Sequence, residues 1–229
     1  MHNLIMPTLY LVRHGQASFG AADYDNLSPL GVQQSLQLGR YYLSKNLRFD
    51  AVYTGTLRRH VQTYAGILQG MESDRVALHR PGLNEYDSDA ILAEIHHEPL
   101  STERSPENYR KHFRLLRDGL AAWMEGRIAP KGMPAYPEFV RGITAVLDEV
   151  REQFGGHSDA HILIVSSGGP ISTAVGHVLG TSAPTTIELN LRIRNTSITE
   201  FAFTPKRHML VTYNTLPHLE DRADWVTYA

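Results

Sequence analysis

The sequence contains no cysteine, and this absence removes several kinds of chemistry at once. None of the 229 residues is a cysteine, so disulfide bridges, thiolate zinc sites and cysteine nucleophiles are all excluded. The chain also lacks a strong excess of charge, because its formal net charge at pH 7 is −2. Without a global positive field, neither nucleic acid nor an anionic membrane is an expected partner. Any anion site must therefore be a local cluster of positive side chains.

Long apolar runs are missing as well. No stretch of the sequence reaches the roughly 18 uninterrupted apolar residues that predict a membrane-spanning helix, and the opening MHNLIMP does not combine a basic leader with a long apolar segment. The composition, with 42% hydrophobic and 20% charged residues, is that of an ordinary globular protein. We therefore expect a cytoplasmic protein that folds as one domain over residues 1–229.

Short apolar segments with strand character alternate with helical segments from the N-terminus onward. Strands are predicted near residues 8–12, 50–53, 76–78, 161–165, 197–203 and 209–213. The helical pattern covers about 28–46, 57–69, 138–154 and 168–179, and residues 86–137 are predicted to be a mostly helical insert over the active-site crevice. This alternation predicts an α/β fold in which a mostly parallel central sheet is covered by helices on both faces.

Polar residues follow four of the predicted strands, at the edge of the sheet where parallel α/β folds bind their ligands. They are Arg13 and His14 after the first strand, Arg59 after the second, Glu85 after the third, and Ser166, Ser167, Gly168 and Gly169 after the fourth. Two guanidinium groups, one imidazole, one carboxylate and an amide-rich helix start are suited to binding a phosphate group. The sequence therefore predicts a phosphate site at this edge.

Three of these segments resemble the signature motifs of the histidine phosphatase (phosphoglycerate mutase-like) superfamily. Arg13-His14-Gly15 matches its Arg-His-Gly motif, Leu57-Arg58-Arg59-His60-Val61-Gln62-Thr63 matches its Leu-x-Arg followed by Gln-Thr, and Leu83-Asn84-Glu85 matches its Leu-x-Glu motif. The register of the second motif makes Arg59, and not Arg58, the phosphate-binding arginine. The resemblance continues through Asn26–Gly31, Asn195-Thr196-Ser197, Asn214 and His218-Leu219, so it covers nearly the whole chain and implies the fold of this family.

The resemblance implies a phosphomonoester phosphatase that forms a phosphohistidine on His14 and needs no metal or organic cofactor. Arg13 and Arg59 would clamp the phosphoryl oxygens, a task that suits bidentate guanidinium groups. Glu85 would act as general acid and then as general base. The expected partner is a small phosphorylated substrate, and the candidates for contacting it are Gly15, Gln16, Ser18, Ser167, Gly168 and His218.

Ser167 departs from the family pattern, because a second histidine normally stands at its position. An imidazolium there would stabilise the phosphoryl group with positive charge, whereas a hydroxyl offers a neutral hydrogen bond. His218 is the candidate that we expect to replace the missing imidazole. The departure leaves two alternatives beside a phosphatase: a phosphoglycerate mutase-type phosphoryl transferase, and a phospholigand-binding protein with weakened catalysis. Residues 86–89, Tyr-Asp-Ser-Asp, do not resemble the mutase lid and so favour the phosphatase.

Two further polar clusters have simpler interpretations. His96, His97 and Glu98 are adjacent residues, and this spacing matches no standard metal site. Three arginines, at positions 110, 114 and 117, share one face of a predicted helix. Such a row is usually a solvated face, which is the interpretation that we favour over a surface for RNA.

Overall fold

The structure is a computed structural model, and it describes residues 6–18, 25–98 and 105–228. Within these residues, six strands form one sheet in the order β3-β2-β4-β1-β5-β6. The strands are β1 (Thr8–Arg13), β2 (Ala51–Thr54), β3 (Leu78–His79), β4 (His161–Ser166), β5 (Ile198–Phe203) and β6 (His208–Thr215). The first four are parallel, and β5 and β6 add antiparallel pairings at one side. The predicted α/β fold with a mostly parallel sheet is confirmed.

Seven α-helices surround this sheet in the described part of the chain. They are α1 (Pro29–Ser44), α2 (Arg58–Gly70), α3 (Ser88–Ile95), α4 (Pro106–Met124), α5 (Tyr136–Phe154), α6 (Gly168–Leu179) and α7 (Ala183–Arg192). Two helices begin with a serine cap: Ser28 Oγ accepts from the Gly31 amide at 3.1 Å, and Ser105 Oγ accepts from the Asn108 amide at 3.2 Å. A proline at the first helical position follows each serine, where its missing N–H costs nothing.

The helices bury both faces of the sheet, and this explains why the central strands are apolar almost throughout. On one face, Val12 and Val165 pack with Leu38 of α1 and Ile67 of α2. On the other, the larger core joins the sheet to α3, α4, α5, α6 and α7 and includes Trp123, which is 2% exposed.

The predicted helical segment at 86–137 contains α3 and α4, which pack against each other, and α4 also contacts α5 and α7. Residues 99–104 of this segment lie outside the described residues. The predicted arginine row lies on α4, and all three of its members are exposed. Exposure is common to a solvated face and to a binding surface, so the solvated face stays a prediction. No helix in the described ranges combines the length and the apolar character that crossing a bilayer requires.

Two elements differ from the sequence prediction. β3 was predicted at 76–78, but only Leu78 and His79 pair with β2, and Val76 is 82% exposed. An edge strand with one neighbour needs no long apolar run, so the pattern located it poorly. Helix α7 was not predicted at all. Its first turn is capped by Ser182 and contains a proline, but the polar residues that follow hide the apolar stripe.

Candidate active site

The site lies where three neighbouring parallel strands end. β4 stands between β2 and β1, so the residues that follow these strands share one edge of the sheet. The His14 amide donates to the Ser166 carbonyl oxygen at 2.8 Å, and the Gly55 amide donates to the Val165 carbonyl oxygen at 3.2 Å. These backbone bonds bring the segments after β1, β2 and β4 together, as we expected for residues that follow the strands of a parallel sheet.

His14 is a buried imidazole with one ring nitrogen held by the backbone. The residue is only 3% exposed, and its Nδ1 lies 2.7 Å from the Gly15 carbonyl oxygen. Because a carbonyl oxygen can only accept, Nδ1 carries the proton and Nε2 keeps its lone pair. Burial, followed by the charges of Arg13 and Arg59, holds the pKa of His14 well below its ordinary value. The imidazole is therefore neutral at pH 7, with Nε2 able to act as a nucleophile.

The backbone around His14 is fixed from two sides. The Gly15 amide donates to Thr63 Oγ1 of α2 at 2.9 Å, and the Asn195 side chain donates to the His14 carbonyl oxygen at 3.1 Å. A Cβ at Gly15 would lie 2.5 Å from the Gly31 carbonyl oxygen, so only glycine allows α1 to approach this closely. The Arg-His-Gly motif thus joins the end of β1 to both α1 and α2.

Arg13 and Arg59 place two positive charges beside His14. Nη1 of Arg13 donates to the carbonyl oxygen of Ile193 at 2.6 Å and to that of Tyr228. Arg59, in the first turn of α2, is 8% exposed, whereas Arg58 is exposed. This burial agrees with the register that selected Arg59 from the motif.

Arg59 also pairs with a carboxylate that the sequence reasoning missed. Its Nη1 donates to Asp25 Oδ1 at 2.7 Å, and Asp25 Oδ2 accepts from the Arg58 amide at 2.8 Å. Asp25 therefore has two roles: one carboxylate oxygen binds the Arg59 side chain, and the other caps the start of α2. A single aspartate in a polar loop carries no sequence signal for such a role.

Glu85 lies at the amino end of α6, where its carboxylate meets a backbone amide. Its two oxygens accept from the Gly169 amide at 3.1 and 3.2 Å, and Oε1 also accepts from the Tyr86 amide at 3.2 Å. Burial raises the pKa of Glu85 above its ordinary value, although the Gly169 hydrogen bond, Arg59 and Arg13 oppose this. A raised pKa suits a carboxyl group that must both donate and accept a proton near neutral pH.

Ser167 is fully buried and contacts a histidine that the sequence reasoning did not select. Its Oγ lies 2.7 Å from Nε2 of His60, a second fully buried residue, whose ring centroid is 5.8 Å from that of His14. Burial and the Arg59 charge lower the pKa of His60 to about 3. The only sequence signal was the position of His60, directly after Arg59 in the second motif. At Gly168, the first residue of α6, an added Cβ would lie 2.8 Å from Asn190 Oδ1.

The other three predicted substrate contacts bond to the protein itself. Gln16 Oε1 accepts from Ser28 Oγ at 2.8 Å, and Ser18 Oγ donates to the Leu27 carbonyl oxygen at 3.0 Å. His218 Nε2 lies 3.0 Å from Thr196 Oγ1, and its ring packs near Tyr41. The structure thus places His60, and not His218, against Ser167. In the described ranges, no group of three or more His, Cys, Asp or Glu side chains is arranged to hold a metal ion.

Comparison with known families identifies the chain. The sequence model of the histidine phosphatase superfamily (branch 1) matches residues 9–216. The protein belongs to this superfamily. Two solved structures show the same fold: phosphoglycerate mutase from Bacillus anthracis str. Sterne has a TM-score of 0.66 and 20% identity, covering 93% of this chain and 95% of that one. Phosphoserine phosphatase from Entamoeba histolytica, in complex with 3-phosphoglyceric acid, has a TM-score of 0.63 and 22% identity, covering 93% and 100%.

Curated relatives of this histidine phosphatase superfamily member include a mutase and a phosphatase. A 2,3-bisphosphoglycerate-dependent phosphoglycerate mutase of Bartonella henselae is 33% identical over 85 residues, which are 34% of this chain and 41% of the mutase. A broad-specificity phosphatase of Saccharomyces cerevisiae is 25% identical over 146 residues, 60% of this chain and 64% of the phosphatase. The match therefore spans less than two thirds of either relative. The family resemblance read from the motifs is confirmed.

Proposed function

We propose that this superfamily member is a phosphomonoester phosphatase that works through a phosphohistidine on His14. The observation that carries the proposal is the state of His14: a neutral imidazole whose Nδ1 is fixed on the Gly15 carbonyl oxygen, while the charges of Arg13 and Arg59 act on its ring. A nucleophile with one nitrogen held and the other unprotonated, beside two guanidinium groups, meets the main requirements of phosphoryl transfer.

In the first half-reaction, Nε2 of His14 attacks phosphorus as the bond to the leaving oxygen breaks. Glu85, whose raised pKa favours the protonated form, gives its proton to the departing alkoxide. Arg13 and Arg59 neutralise the charge on the phosphoryl oxygens. The products are the free alcohol and phosphohistidine.

In the second half-reaction, water hydrolyses the phosphohistidine. The Glu85 carboxylate takes a proton from the water, whose oxygen attacks phosphorus as the phosphorus–nitrogen bond breaks. Inorganic phosphate leaves, the electron pair returns to Nε2, and Glu85 is protonated again for the next cycle. Its hydrogen bonds to the Gly169 amide hold the same carboxyl group in place for both steps.

The substrate is a small phosphorylated molecule, and helices α3 and α4, with the residues that join Glu85 to α3, form the wall that selects it. Tyr86 supports this placement, since it directly follows Glu85 and its ring packs 5.9 Å from that of Trp123 on α4. The Tyr86 hydroxyl accepts from the Asn190 side chain at 2.8 Å. The wall beside Glu85 is therefore partly aromatic and is held by ring packing and a hydrogen bond.

A phosphoglycerate mutase-type transferase is the second candidate, because the Bartonella henselae relative with this activity shares 33% identity over 85 residues. A mutase must return the phosphoryl group to a second hydroxyl instead of water. The phosphatase and the mutase can be distinguished by phosphorylating the enzyme, removing the substrate and following the fate of the phosphoryl group. A phosphatase releases inorganic phosphate from this enzyme at a rate at least equal to turnover, whereas a mutase holds the group until an acceptor is added.

The direct test is capture of the intermediate. The purified protein is mixed with a ³²P-labelled phosphate ester and quenched in alkali, in which phosphohistidine survives, and a panel of phosphorylated metabolites is screened for phosphate release. We expect label on His14 in the wild type and none in His14→Ala. His208→Gln is the matched control, because His208 packs against Phe203 at the opposite end of the sheet. Phosphate binding without label or release would favour a binding protein instead.

A further inference from the structure

The closest polar contact of Ser167 is with His60, on a different element of the fold. Ser167 follows β4 and His60 lies in the first turn of α2, yet Ser167 Oγ and His60 Nε2 are 2.7 Å apart and both residues are 0% exposed. The His60 ring is also the neighbour of the His14 ring, with 5.8 Å between centroids. A second imidazole thus lies in the site, one hydroxyl group away from the position at which the family normally has its second histidine.

The hydroxyl of Ser167 has no role in capping α6, although the residue stands at the N-cap. An N-cap serine normally accepts from the amide of the second or third helical residue. Here the second residue is Gly169, whose amide donates to Glu85, and the third is Pro170, which has no N–H. The helix therefore offers Ser167 no donor, and the orientation of its hydroxyl depends on His60.

The surroundings of His60 decide which nitrogen carries the proton. In the described part of the chain, Nδ1 has no hydrogen-bond partner, and it faces Gly55, where an added Cβ would lie only 2.2 Å away. A buried N–H without an acceptor is rarer than a buried acceptor without a donor. Nε2 is therefore the protonated nitrogen and donates to Ser167 Oγ. The serine proton is then available for an anion.

We propose that His60 is the second imidazole of this active site and that it acts through Ser167, by donating from Nε2 to the serine Oγ so that the serine hydroxyl donates to a phosphoryl oxygen. This inference rests on the proposed phosphatase function. Ser167 contacts the substrate, and His60 is a positioning residue. The site has not lost its imidazole but holds it on α2, in a space kept open by Gly55.

Kinetics of two His60 variants test this hydrogen-bond relay, which runs from His60 through Ser167 to the phosphoryl oxygen. His60→Ala leaves the serine hydroxyl unoriented, and we expect kcat to fall by about 10- to 100-fold, somewhat less than the loss of a direct donor, with a small change in KM. His60→Gln can place an amide N–H near the position of Nε2 and should recover activity to within about 5-fold of the wild type, since it replaces one neutral donor with another. His208→Gln should match the wild type.

A reciprocal exchange tests where the imidazole belongs. Ser167→His alone forces a second ring against the buried His60 and should lose activity or fail to fold. In the double variant His60→Ala, Ser167→His, the vacated space admits the new ring, and we expect kcat at least 10-fold above that of His60→Ala. If the double variant folds but its kcat is no higher than that of His60→Ala, the inference that the imidazole of the site occupies the space beside Ser167 is overturned.

A measurement that does not depend on turnover keeps the proposal testable if His60 variants unfold. Nitrogen-15 NMR of the histidines should show His60 as the neutral form protonated at Nε2. Inorganic phosphate should shift this Nε2 resonance in the wild type and not in Ser167→Ala. Protonation at Nδ1, or an unchanged resonance with phosphate bound, overturns the relay.

The outcomes separate this inference from the function on which it rests. If the wild type releases phosphate and labels His14 while His60→Ala is equally active, the relay fails and the phosphatase stands. If the wild type neither labels His14 nor releases phosphate from any ester, the proposed function fails and the relay fails with it.

Discussion

Arg59 and Asp25 form a salt bridge of 2.7 Å at the start of α2, with the arginine side chain 9% exposed and the aspartate side chain 32% exposed. The guanidinium group that we assign to phosphate is thus already partly neutralised by a carboxylate of the same protein. An incoming phosphate must share Arg59 with Asp25. We therefore expect Asp25 to lower the affinity of the site for anions.

Asp25→Asn should tighten phosphate binding. The amide oxygen can still accept from the Arg58 amide, so the cap of α2 is kept, but the negative charge beside Arg59 is gone. We expect the Kd for inorganic phosphate to fall by about 2- to 5-fold, the range typical of one partly exposed charge pair, as measured by isothermal titration calorimetry in low salt. Asp148→Asn is the control, because Asp148 pairs with Arg151 on the surface at the same 2.7 Å. Weaker binding by Asp25→Asn would mean that the carboxylate serves mainly to orient Arg59.

Glu85→Gln should separate binding from turnover. The amide oxygen can still accept from the Gly169 amide, but the side chain can no longer exchange a proton. We expect kcat to fall by about 10²- to 10⁴-fold, the usual contribution of a general acid–base group, while the Kd for inorganic phosphate changes little. An unchanged kcat would remove Glu85 from the mechanism.

The pH profile of the wild type should be set by Glu85 on the alkaline side. The first half-reaction needs Glu85 protonated and His14 unprotonated. Because the pKa of Glu85 is raised and that of His14 is lowered, kcat/KM should decline as pH rises through the raised pKa and show no loss from His14 near pH 6. In Glu85→Gln the alkaline decline should disappear. The same decline in that variant would assign it to another group.

Gly169→Ala tests the contact between the helix start and the carboxylate. A Cβ at this position would lie 2.1 Å from Glu85 Oε1 and 2.6 Å from the Tyr86 ring, so Glu85 must move. We expect kcat to fall by at least about 10-fold, because catalytic groups displaced by an ångström lose much of their effect. Gly156→Ala is the matched control, since nothing lies within 4 Å of its added Cβ. Equal kinetics for the two variants would show that the position of Glu85 is not critical.

The sequence was sufficient to locate residues whose roles depend on where a strand or helix ends. Arg59 could be chosen over Arg58 because the motif fixes its register at the start of α2, and the structure buries the first and exposes the second. The caps at Ser28 and Ser105 were predictable for the same reason, since a cap is a local contact between residues three apart.

Contacts between segments that are distant in the chain could not be predicted from the sequence. His60 and Ser167 are 107 residues apart, and they meet only because α2 packs on the sheet beside β4. The expectation that His218 would supply the missing imidazole used family position, but the 3₁₀ turn at Pro217–Leu219 directs this side chain to Thr196. Register and capping are local, whereas the choice between two buried histidines depends on tertiary packing.

Buried neutral histidines should make the fold sensitive to acid. Burial lowers the pKa of both His60 and His218 to about 3, whereas in the unfolded chain each titrates near 6.5. Between pH 3 and pH 6.5 the unfolded state binds more protons than the native state. The contribution of each neutral histidine to the free energy of unfolding is therefore complete above pH 6.5 and is lost as the pH falls toward 3. When the pH is lowered from 6.5 to 5, each such histidine should reduce the free energy of unfolding by about 2 kcal/mol.

His218→Gln should reduce this acid sensitivity. Glutamine can still bond to Thr196 Oγ1 but cannot be protonated, so the difference in unfolding free energy between pH 7 and pH 5 should shrink by about 2 kcal/mol, as measured by urea denaturation. His157→Gln is the control, because it replaces a histidine that is exposed on the surface instead of buried. If both variants keep the wild-type difference, His218 is protonated in the folded protein at pH 5. The burial that we hold responsible for its low pKa would then be relieved by local opening near Thr196.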